Sequence, residues 1–205
     1  MPERIGLLGG SFDPPHNGHM FVARAARSAL ELDSVKLLVS GSSPHRGGKL
    51  NHASAAQRFS MAELAAGGEP GIGVDGRETR RDGPSYTVET LRELRKERPE
   101  VEWYFIVGGD MLADLPNWRE PKELFQLATI VPVLRAGFGH EVFSGLAERL
   151  GSEAAGSLRN NLLELSTPPI SSTAVRAAIR NGEEVSGLVP AAVFSYIKSN
   201  SLYLR

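Results

Sequence analysis

Short apolar runs alternate with longer segments of helical periodicity along most of the 205-residue chain. Residues 5–8 form a glycine-bounded apolar run, as expected for a buried strand. In residues 18–32 the apolar positions recur every three to four residues, which predicts a helix, and residues 35–39 predict a second strand. A strand, a helix and a strand in this order predict a βαβ unit with parallel strands and a right-handed crossover.

The same alternation continues to the end of the chain, and residues 101–109 carry its strongest strand pattern. Further strands are predicted at 72–74, 101–109, 129–134 and 162–165, and further helices at 54–66, 86–98, 121–127, 141–150, 171–181 and 190–199. Residues 135–157 are the most loop-like stretch. The pattern predicts the α/β class, with residues 1–205 as a single Rossmann-like, doubly wound domain around a mostly parallel central sheet.

The composition limits which classes of binding partner and which cellular compartment we expect for the protein. The formal net charge of −1 does not favour a general polyanion binder, so we expect no nucleic-acid partner. The chain has no cysteine, which excludes disulfide scaffolds and cysteine-based zinc sites. We find neither a membrane-length apolar run nor the pattern of a signal peptide, and therefore expect a cytoplasmic protein without a membrane partner. A homo-oligomer is compatible with the sequence.

The motif GGSFDPPHNGH, residues 9–19, lies between the first predicted strand and the first predicted helix. The start of a helix favours phosphate, Gly9 and Gly10 permit close approach of a ligand, and Ser11 adds a hydroxyl donor. His16 and His19 are three residues apart, so both lie on one face of the first turn, where they can donate to phosphate oxygens. The alternative is that one histidine caps the helix and the other packs in the core.

Three local motifs suggest a zinc site, a dinucleotide-binding loop and a P-loop, and each of these interpretations is excluded. HNGH lacks the acidic residue and the four-residue spacing of a helical zinc pair. GIGVDG, residues 71–76, has the letters of a dinucleotide fingerprint, but neither a preceding strand nor a directly following helix is predicted. GSSPHRGGK, residues 41–49, lacks the first glycine of a phosphate-binding P-loop.

Other polar groups follow predicted strands or open predicted helices, so they belong to the same edge of the sheet. His45, Arg46 and Lys49 could hold a second anion, or could be an ordinary solvated basic loop. Ser85 or Thr87 could cap the helix that follows.

Asp110 follows the strongest strand and could accept hydrogen bonds from ribose hydroxyls. Trp118 could pack in the core or stack on a ring of a ligand.

The segment TPPISSTAVR, residues 167–176, offers a second phosphate site. Ser171, Ser172 and Thr173 open a helix, and Arg176 follows one turn later. Hydroxyls, free backbone N–H groups and a guanidinium together suit a triphosphate, although helix capping alone would also explain the serines.

GGSFDPPHNGH and ISSTAVR together resemble the two signatures, HxGH and ISSTxxR, of the nucleotidylyltransferase superfamily. SYTVETL, the GGD turn and LPNW resemble the bacterial nicotinate-nucleotide adenylyltransferases within it, and the resemblance runs from about residue 4 to residue 198. It implies transfer of AMP from ATP to nicotinate mononucleotide, giving nicotinate adenine dinucleotide and pyrophosphate in NAD synthesis. It also implies direct in-line attack without a covalent enzyme intermediate, and Mg²⁺ that bridges the phosphates.

The resemblance also implies roles for individual residues. His16, His19 and Arg176 would act on the phosphates, with His19 nearest the α-phosphate. The remaining positions divide between the two substrates: Gly9, Gly10, Ser11, Phe12, Asp110, Ser171, Ser172 and Thr173 would bind ATP, and His45, Arg46, Thr87 and Trp118 would bind the mononucleotide. No residue is assigned to a dedicated metal site.

The chain departs from the family pattern at three places. In SGSSPHRGG the residues before Pro-His are serine and glycine, where relatives more often have asparagine or proline. GGD stands where GAD is more usual, and residues 135–157 match no part of the family pattern. Two alternatives therefore stay open. One is an adenylyltransferase for nicotinamide mononucleotide or phosphopantetheine, and the other is a nucleotide-binding module without catalysis.

Overall fold

Six parallel strands form one sheet in the computed structural model, which describes residues 1–42, 51–135 and 140–204. The strands are β1 (Arg4–Gly10), β2 (Ser34–Val39), β3 (Ile72–Asp75), β4 (Glu102–Gly108), β5 (Thr129–Arg135) and β6 (Leu163–Leu165). Their order across the sheet is β3-β2-β1-β4-β5-β6, and every pairing is parallel. The predicted fold class is confirmed.

Helices cover both faces of this sheet. The described ranges contain α1 (Asn17–Ala29), α2 (Ala55–Ala66), α3 (Thr87–Glu97), α4 (Gly109–Leu112), α5 (Pro121–Leu127), α6 (Leu146–Leu150), α7 (Ser152–Asn160), α8 (Ser172–Arg180) and α9 (Ala191–Ser199). Three short 3₁₀ helices lie at Arg77–Arg80, Leu115–Asn117 and His140–Phe143. No helix within these ranges is long and apolar enough to cross a bilayer.

The core has two parts because successive strand residues point to opposite faces. Leu7 of β1 belongs to the cluster packed against α3, α5 and α7, whereas its neighbour Leu8 belongs to the cluster packed against α1, α2 and α9. Both side chains are buried. The two clusters sandwich the sheet, as a doubly wound fold requires.

The direction of winding reverses between β1 and β4. From β1 the chain continues through α1 to β2 on one side, and β4 leads to β5 and β6 on the other. In such sheets the carboxyl ends of the two central strands leave a crevice between their loops.

Residues 140–160 differ from the prediction. The sequence predicts one helix at 141–150, but the chain forms the 3₁₀ turn, α6 and then α7, which begins within the loop-like stretch 135–157 and ends beyond it. Gly145 and Gly151 have φ values of +71° and +97°, so the backbone turns between these short helices. Ala155 and Leu158 of α7 are buried three residues apart, and this packing stabilises a segment of weak sequence pattern.

Candidate active site

A cavity of about 630 Å³ opens at the carboxyl ends of β1 and β4, where the winding reverses. Most of the residues expected to bind substrates line it: Gly9, Gly10, Ser11, His16, His19, Thr87, Asp110, Trp118, Ser171, Ser172, Thr173 and Arg176. These positions lie up to 167 residues apart in sequence, between residues 9 and 176. The fold therefore brings the segments that carry both signatures to one crevice.

Three expected positions stand apart from this set. Phe12 does not line the cavity with its side chain, which is 1% exposed. Its ring lies edge-on to His19, with centroids 5.0 Å apart, so it packs against the imidazole from within the core. His45 and Arg46 lie outside the described residues.

His16 and His19 cap the first turn of α1 reciprocally. The Nδ1 atom of His16 accepts from the backbone N–H of His19 at 3.3 Å, and the Nδ1 atom of His19 accepts from the backbone N–H of His16 at 3.1 Å. The rings stack with centroids 3.6 Å apart. Because each Nδ1 is an acceptor, each neutral ring carries its proton on Nε2. The cap thus sets the tautomer with which both rings can donate to a phosphate.

Gly18 makes room for this arrangement. A Cβ atom at position 18 would lie 3.0 Å from Nδ1 of His16, so a larger residue would push the ring away from the helix turn. The glycine between the histidines is therefore a packing requirement of the capped pair.

The start of α8 is docked onto the loop between β1 and α1. Ser172 donates from its hydroxyl to the carbonyl of Pro14 at 2.9 Å, and Arg176 donates from Nη1 to the carbonyl of Asp13 at 2.7 Å. Ser171 caps α8 by accepting from the backbone N–H of Ala174 at 3.1 Å. The second signature is thereby held against the first.

The first turns of α1 and α8 both contribute to the cavity wall. The positive dipole ends of the two helices that start at this wall favour an anion between them. Arg176 adds a full positive charge. Its guanidinium has five N–H donors, so its contacts with Asp13 and with Thr173 Oγ1 leave donors for a phosphate.

Asp110 stands at the start of α4, beyond the end of β4, where its side chain is exposed and lines the cavity. A Cβ atom at position 108 would lie 2.6 Å from Oδ1 of Asp110, so Gly108 lets this carboxylate fold back over the strand end. A Cβ atom at position 109 would meet Cδ2 of Leu134 at 2.4 Å. Leu134 thus fills the space in which the more usual alanine of GAD would place its methyl group.

Trp118 both packs and lines the cavity. It is 7% exposed and lies edge-on to Phe105, with centroids 6.1 Å apart. The interpretation that this tryptophan packs in the core is thus correct for most of the ring, while the remaining surface faces the cavity that Thr87 also lines. A ring held by Phe105 is preorganised for stacking on a flat ligand.

The predicted side-chain cap of α3 is wrong. Neither Ser85 nor Thr87 occupies the capping position, which is Tyr86 and makes no side-chain cap. The hydroxyl of Ser85 instead lies 3.5 Å from the carbonyl of Glu78, to which it donates, within the cavity wall. Ser85 is thereby linked to the 3₁₀ helix at Arg77–Arg80 rather than to the start of α3.

Glu78 is a buried carboxylate in this wall that the sequence analysis missed. Its Oε1 accepts from the hydroxyl of Thr90 at 2.6 Å, and that hydroxyl accepts from Arg81 Nη1 at 2.7 Å. Burial raises the pKa of Glu78, although the hydrogen bond from Thr90 and the charge of Arg81 act against this rise. The carboxyl has no obvious sequence signal, because it lies in a charged loop-like segment.

Arg58 is a second missed residue, and it joins the ends of β1 and β2. It is 1% exposed, and its guanidinium donates to the carbonyls of Ser11 at 2.8 Å, Ser40 at 2.6 Å and Gly41 at 3.0 Å. The sequence did carry a signal. Arg58 occupies an apolar-stripe position of the predicted helix 54–66, three residues before Met61, where a solvated arginine would not be expected.

The profile of the cytidylyltransferase-like family matches residues 7–178. A protein of Chromobacterium violaceum named "Probable nicotinate-nucleotide adenylyltransferase" is 41% identical, over 99% of this chain and 100% of the relative. A protein of the same name from Laribacter hongkongensis is 42% identical, over 97% of this chain and 94% of the relative.

Solved structures share the fold. A nicotinic acid mononucleotide adenylyltransferase of Plasmodium falciparum, complexed with NaAD, superposes with a TM-score of 0.76 at 17% identity, covering 98% of this chain and 97% of the other. The structural likeness extends the fold assignment to nearly the whole chain, and the sequence relatives supply the family. The resemblance inferred from the two signatures is thereby confirmed, and the chain belongs to the cytidylyltransferase-like family and, within it, to the nicotinate-nucleotide adenylyltransferases.

Proposed function

We propose that the chain transfers AMP from ATP to nicotinate mononucleotide, with release of pyrophosphate, at the cavity between α1 and α8. The observation that carries this assignment is the docking of Ser172 and Arg176 onto the carbonyls of Pro14 and Asp13, which joins the two signatures into one anion site. We also propose a cytoplasmic location, which the absence of cysteine favours.

The histidines act on the phosphates as preorganised donors. An oxygen of the acceptor's 5′-phosphate attacks the α-phosphorus of ATP, and the bond from that phosphorus to the bridging oxygen breaks as pyrophosphate departs. Nε2–H of His19 stabilises the charge that develops on the α-phosphate, and His16 supports it from the adjacent stacked position. Positioning and charge stabilisation can supply most of the acceleration, so no covalent intermediate with the chain is needed.

We assign the two substrates to different groups of residues around this centre. The start of α8, with Ser172, Thr173 and Arg176, receives the β- and γ-phosphates, and Asp110 receives the adenosine ribose. Thr87 and Trp118 receive the nicotinate ring, and His45 and Arg46 bind the acceptor's phosphate. Gly9, Gly10 and Ser11 let the backbone approach the reacting phosphates closely, which this assignment requires at the end of β1.

Magnesium enters this proposal as part of the ATP substrate. Among the described residues no three histidine, aspartate or glutamate side chains are grouped so as to hold a metal ion. Mg²⁺ commonly takes most of its ligands from substrate phosphates and water and only one or two from carboxylates, so the lining fits an ion that arrives on the triphosphate.

The experiment that tests the proposal compares three acceptors. Purified protein with ATP and Mg²⁺ is given nicotinate mononucleotide, nicotinamide mononucleotide or phosphopantetheine, and pyrophosphate release is followed for each. We expect the highest kcat/KM with nicotinate mononucleotide. An equal or higher value with another acceptor would reassign the substrate, and ATP binding without pyrophosphate release from any acceptor would indicate a non-catalytic module.

A further inference from the structure

The turn directly before Trp118 packs against α6. This helix belongs to residues 135–157, which match no part of the family pattern, and it lies against the 3₁₀ helix at Leu115–Asn117. Leu150 of α6 is buried in the core cluster that also contains Leu115. A segment that the family signatures do not account for thus supports a turn that leads into the cavity wall.

A polar contact joins the same two elements at the surface. Arg149 of α6 donates from Nη2 to Oδ1 of Asn117 at 2.5 Å. Asn117 donates from Nδ2 to Oδ1 of Asp114 at 2.7 Å, and its backbone N–H donates to the carbonyl of Asp114 at 2.8 Å. The residue directly before Trp118 is therefore held both by its own turn and by α6.

The residue directly after Trp118 is held from another side, by the start of α3. Arg119 donates from Nη1 to Oε1 of Glu89 at 2.7 Å, and its guanidinium lies over the ring of Tyr86, 4.8 Å from the centroid. Tyr86 directly precedes Thr87, which lines the cavity together with Trp118. Arg119 thus links the two segments that carry these cavity residues.

We propose that Arg149 and Arg119 form a two-sided clamp that positions Trp118 for the flat ring of the acceptor. The identity of that ring rests on the proposed function. Arg149 restrains the turn before the indole and Arg119 restrains the chain after it, while Phe105 packs against the ring itself. Neither arginine is among the described residues that line the cavity, so both act as positioning residues.

The clamp predicts an unequal effect on the two substrates. A surface ion pair or a cation–π contact corresponds to about a two- to fivefold change in an equilibrium. Without both arginines the indole is less often placed for stacking, and the apparent affinity for the acceptor falls with that fraction. In the double variant Arg149→Met, Arg119→Met the KM for nicotinate mononucleotide should rise about fivefold, while the KM for ATP should change less than about twofold.

Arg98→Met is the matched control. The side chain of Arg98 is 42% exposed, against 49% for Arg119, and it pairs with Glu3 and Glu100 at the opposite end of the sheet. We expect neither KM to change by more than about twofold in this variant. Circular dichroism checks that each variant is folded, and the two single variants are measured if the double variant is not.

A second measurement follows the indole without any substrate. Trp103→Phe leaves Trp118 as the single tryptophan of the chain, and it breaks no hydrogen bond within the described residues. In this background we expect loss of the clamp to raise the constant for acrylamide quenching of Trp118 fluorescence about twofold, because the indole spends more time away from its packed position.

Three outcomes would overturn the clamp: unchanged quenching of Trp118, an equal rise of both KM values, or the same changes in the Arg98 control. Quenching does not depend on turnover. A wild-type protein that is inactive with every acceptor would therefore refute the proposed function, while the quenching measurement still decides whether the arginines position Trp118.

Discussion

At the scale of single residues, the capping role of the two histidines is compatible with the phosphate contacts that we propose for them. Each imidazole caps the first turn of α1 through Nδ1, which is a structural role, and this same bond leaves the proton on Nε2. The capping bonds therefore leave both rings able to donate from Nε2 in the phosphate site that we propose. The two roles can nevertheless be separated by substitution, because glutamine at the third helical position also completes a capping box.

We predict that His19→Ala lowers kcat at least about 100-fold, because it removes a preorganised donor at the α-phosphate. It also lowers the free energy of unfolding by about 1 kcal/mol, since the backbone N–H of His16 loses its acceptor. His19→Gln is the matched variant and should restore much of the stability but not kcat. Steady-state kinetics and urea unfolding measure the two effects. Full activity in the glutamine variant would contradict the assigned donor role.

Glu78 gives a second prediction at this scale, on the pH dependence of stability. Burial raises its pKa above the ordinary value of 4.5, so the folded chain binds more protons than the unfolded chain between the two pKa values. The folded state is therefore favoured below the ordinary value and loses stability as the pH rises through the folded pKa. Glu78→Gln removes this titration, while its amide oxygen can still accept from Thr90.

Urea unfolding of the wild type and of Glu78→Gln across a pH series tests this. We expect the free energy of unfolding of the wild type to fall relative to that of the variant as the pH rises from about 4 to neutrality. A difference between the two proteins that stays constant over this range would show that the carboxyl is not perturbed in the folded state.

At the scale of elements, the sequence predicted the strands better than the small helices. The strand at 101–109 and the helix at 18–32 were predicted within about three residues of β4 and α1, because their hydrophobic patterns are long and are bounded by clear breakers. GIGVDG was correctly rejected as a dinucleotide site, since β3 occupies Ile72–Asp75 within it. The segment α7 was missed because glycines interrupt its weak pattern.

Two glycines differ in their tertiary surroundings, and this difference determines whether alanine at the position stabilises or destabilises the fold. Gly156 lies inside α7 with nothing within 4 Å of an added Cβ, whereas a Cβ at Gly41 would lie 2.2 Å from the carbonyl of Glu78. We predict that Gly156→Ala raises the free energy of unfolding by about 0.5–1 kcal/mol, because alanine loses less backbone freedom in a helix.

The same substitution at Gly41 should act in the opposite direction. We expect Gly41→Ala to lower the free energy of unfolding by about 1–3 kcal/mol, because backbone atoms must move apart. Denaturant unfolding of both variants provides the comparison, each serving as the control for the other. Effects of equal sign would contradict the packing described at these two positions.

At the scale of the whole molecule, the sequence pattern predicted a doubly wound, mostly parallel sheet, but it did not predict the long-range polar contacts. Alternation of strands and helices restricts the topology to a few parallel arrangements, of which the observed one is standard. The contacts of Ser172 with Pro14 and of Tyr203 with Asp13 join residues 158 and 190 positions apart. Neither local propensity nor residue spacing predicts a contact between residues so far apart in sequence. The sequence therefore indicated the two signatures but not these hydrogen bonds.

Arg58 offers the sharpest test of this buried polar framework. Arg58→Met keeps the length of an unbranched side chain but leaves the carbonyls of Ser11, Ser40 and Gly41 without their shared donor. We expect the free energy of unfolding to fall by about 3 kcal/mol, and Tm therefore to fall by about 6–12 °C for a chain of this size.

Arg24→Met, which removes a surface pair with Glu69, is the control and should cost at most about 1 kcal/mol. Equal shifts of Tm in the two variants, measured by calorimetry, would show that the guanidinium does not join β1 to β2. A lysine at position 58 should recover only part of the loss, because a single ammonium cannot reproduce the planar fork that reaches both strand ends.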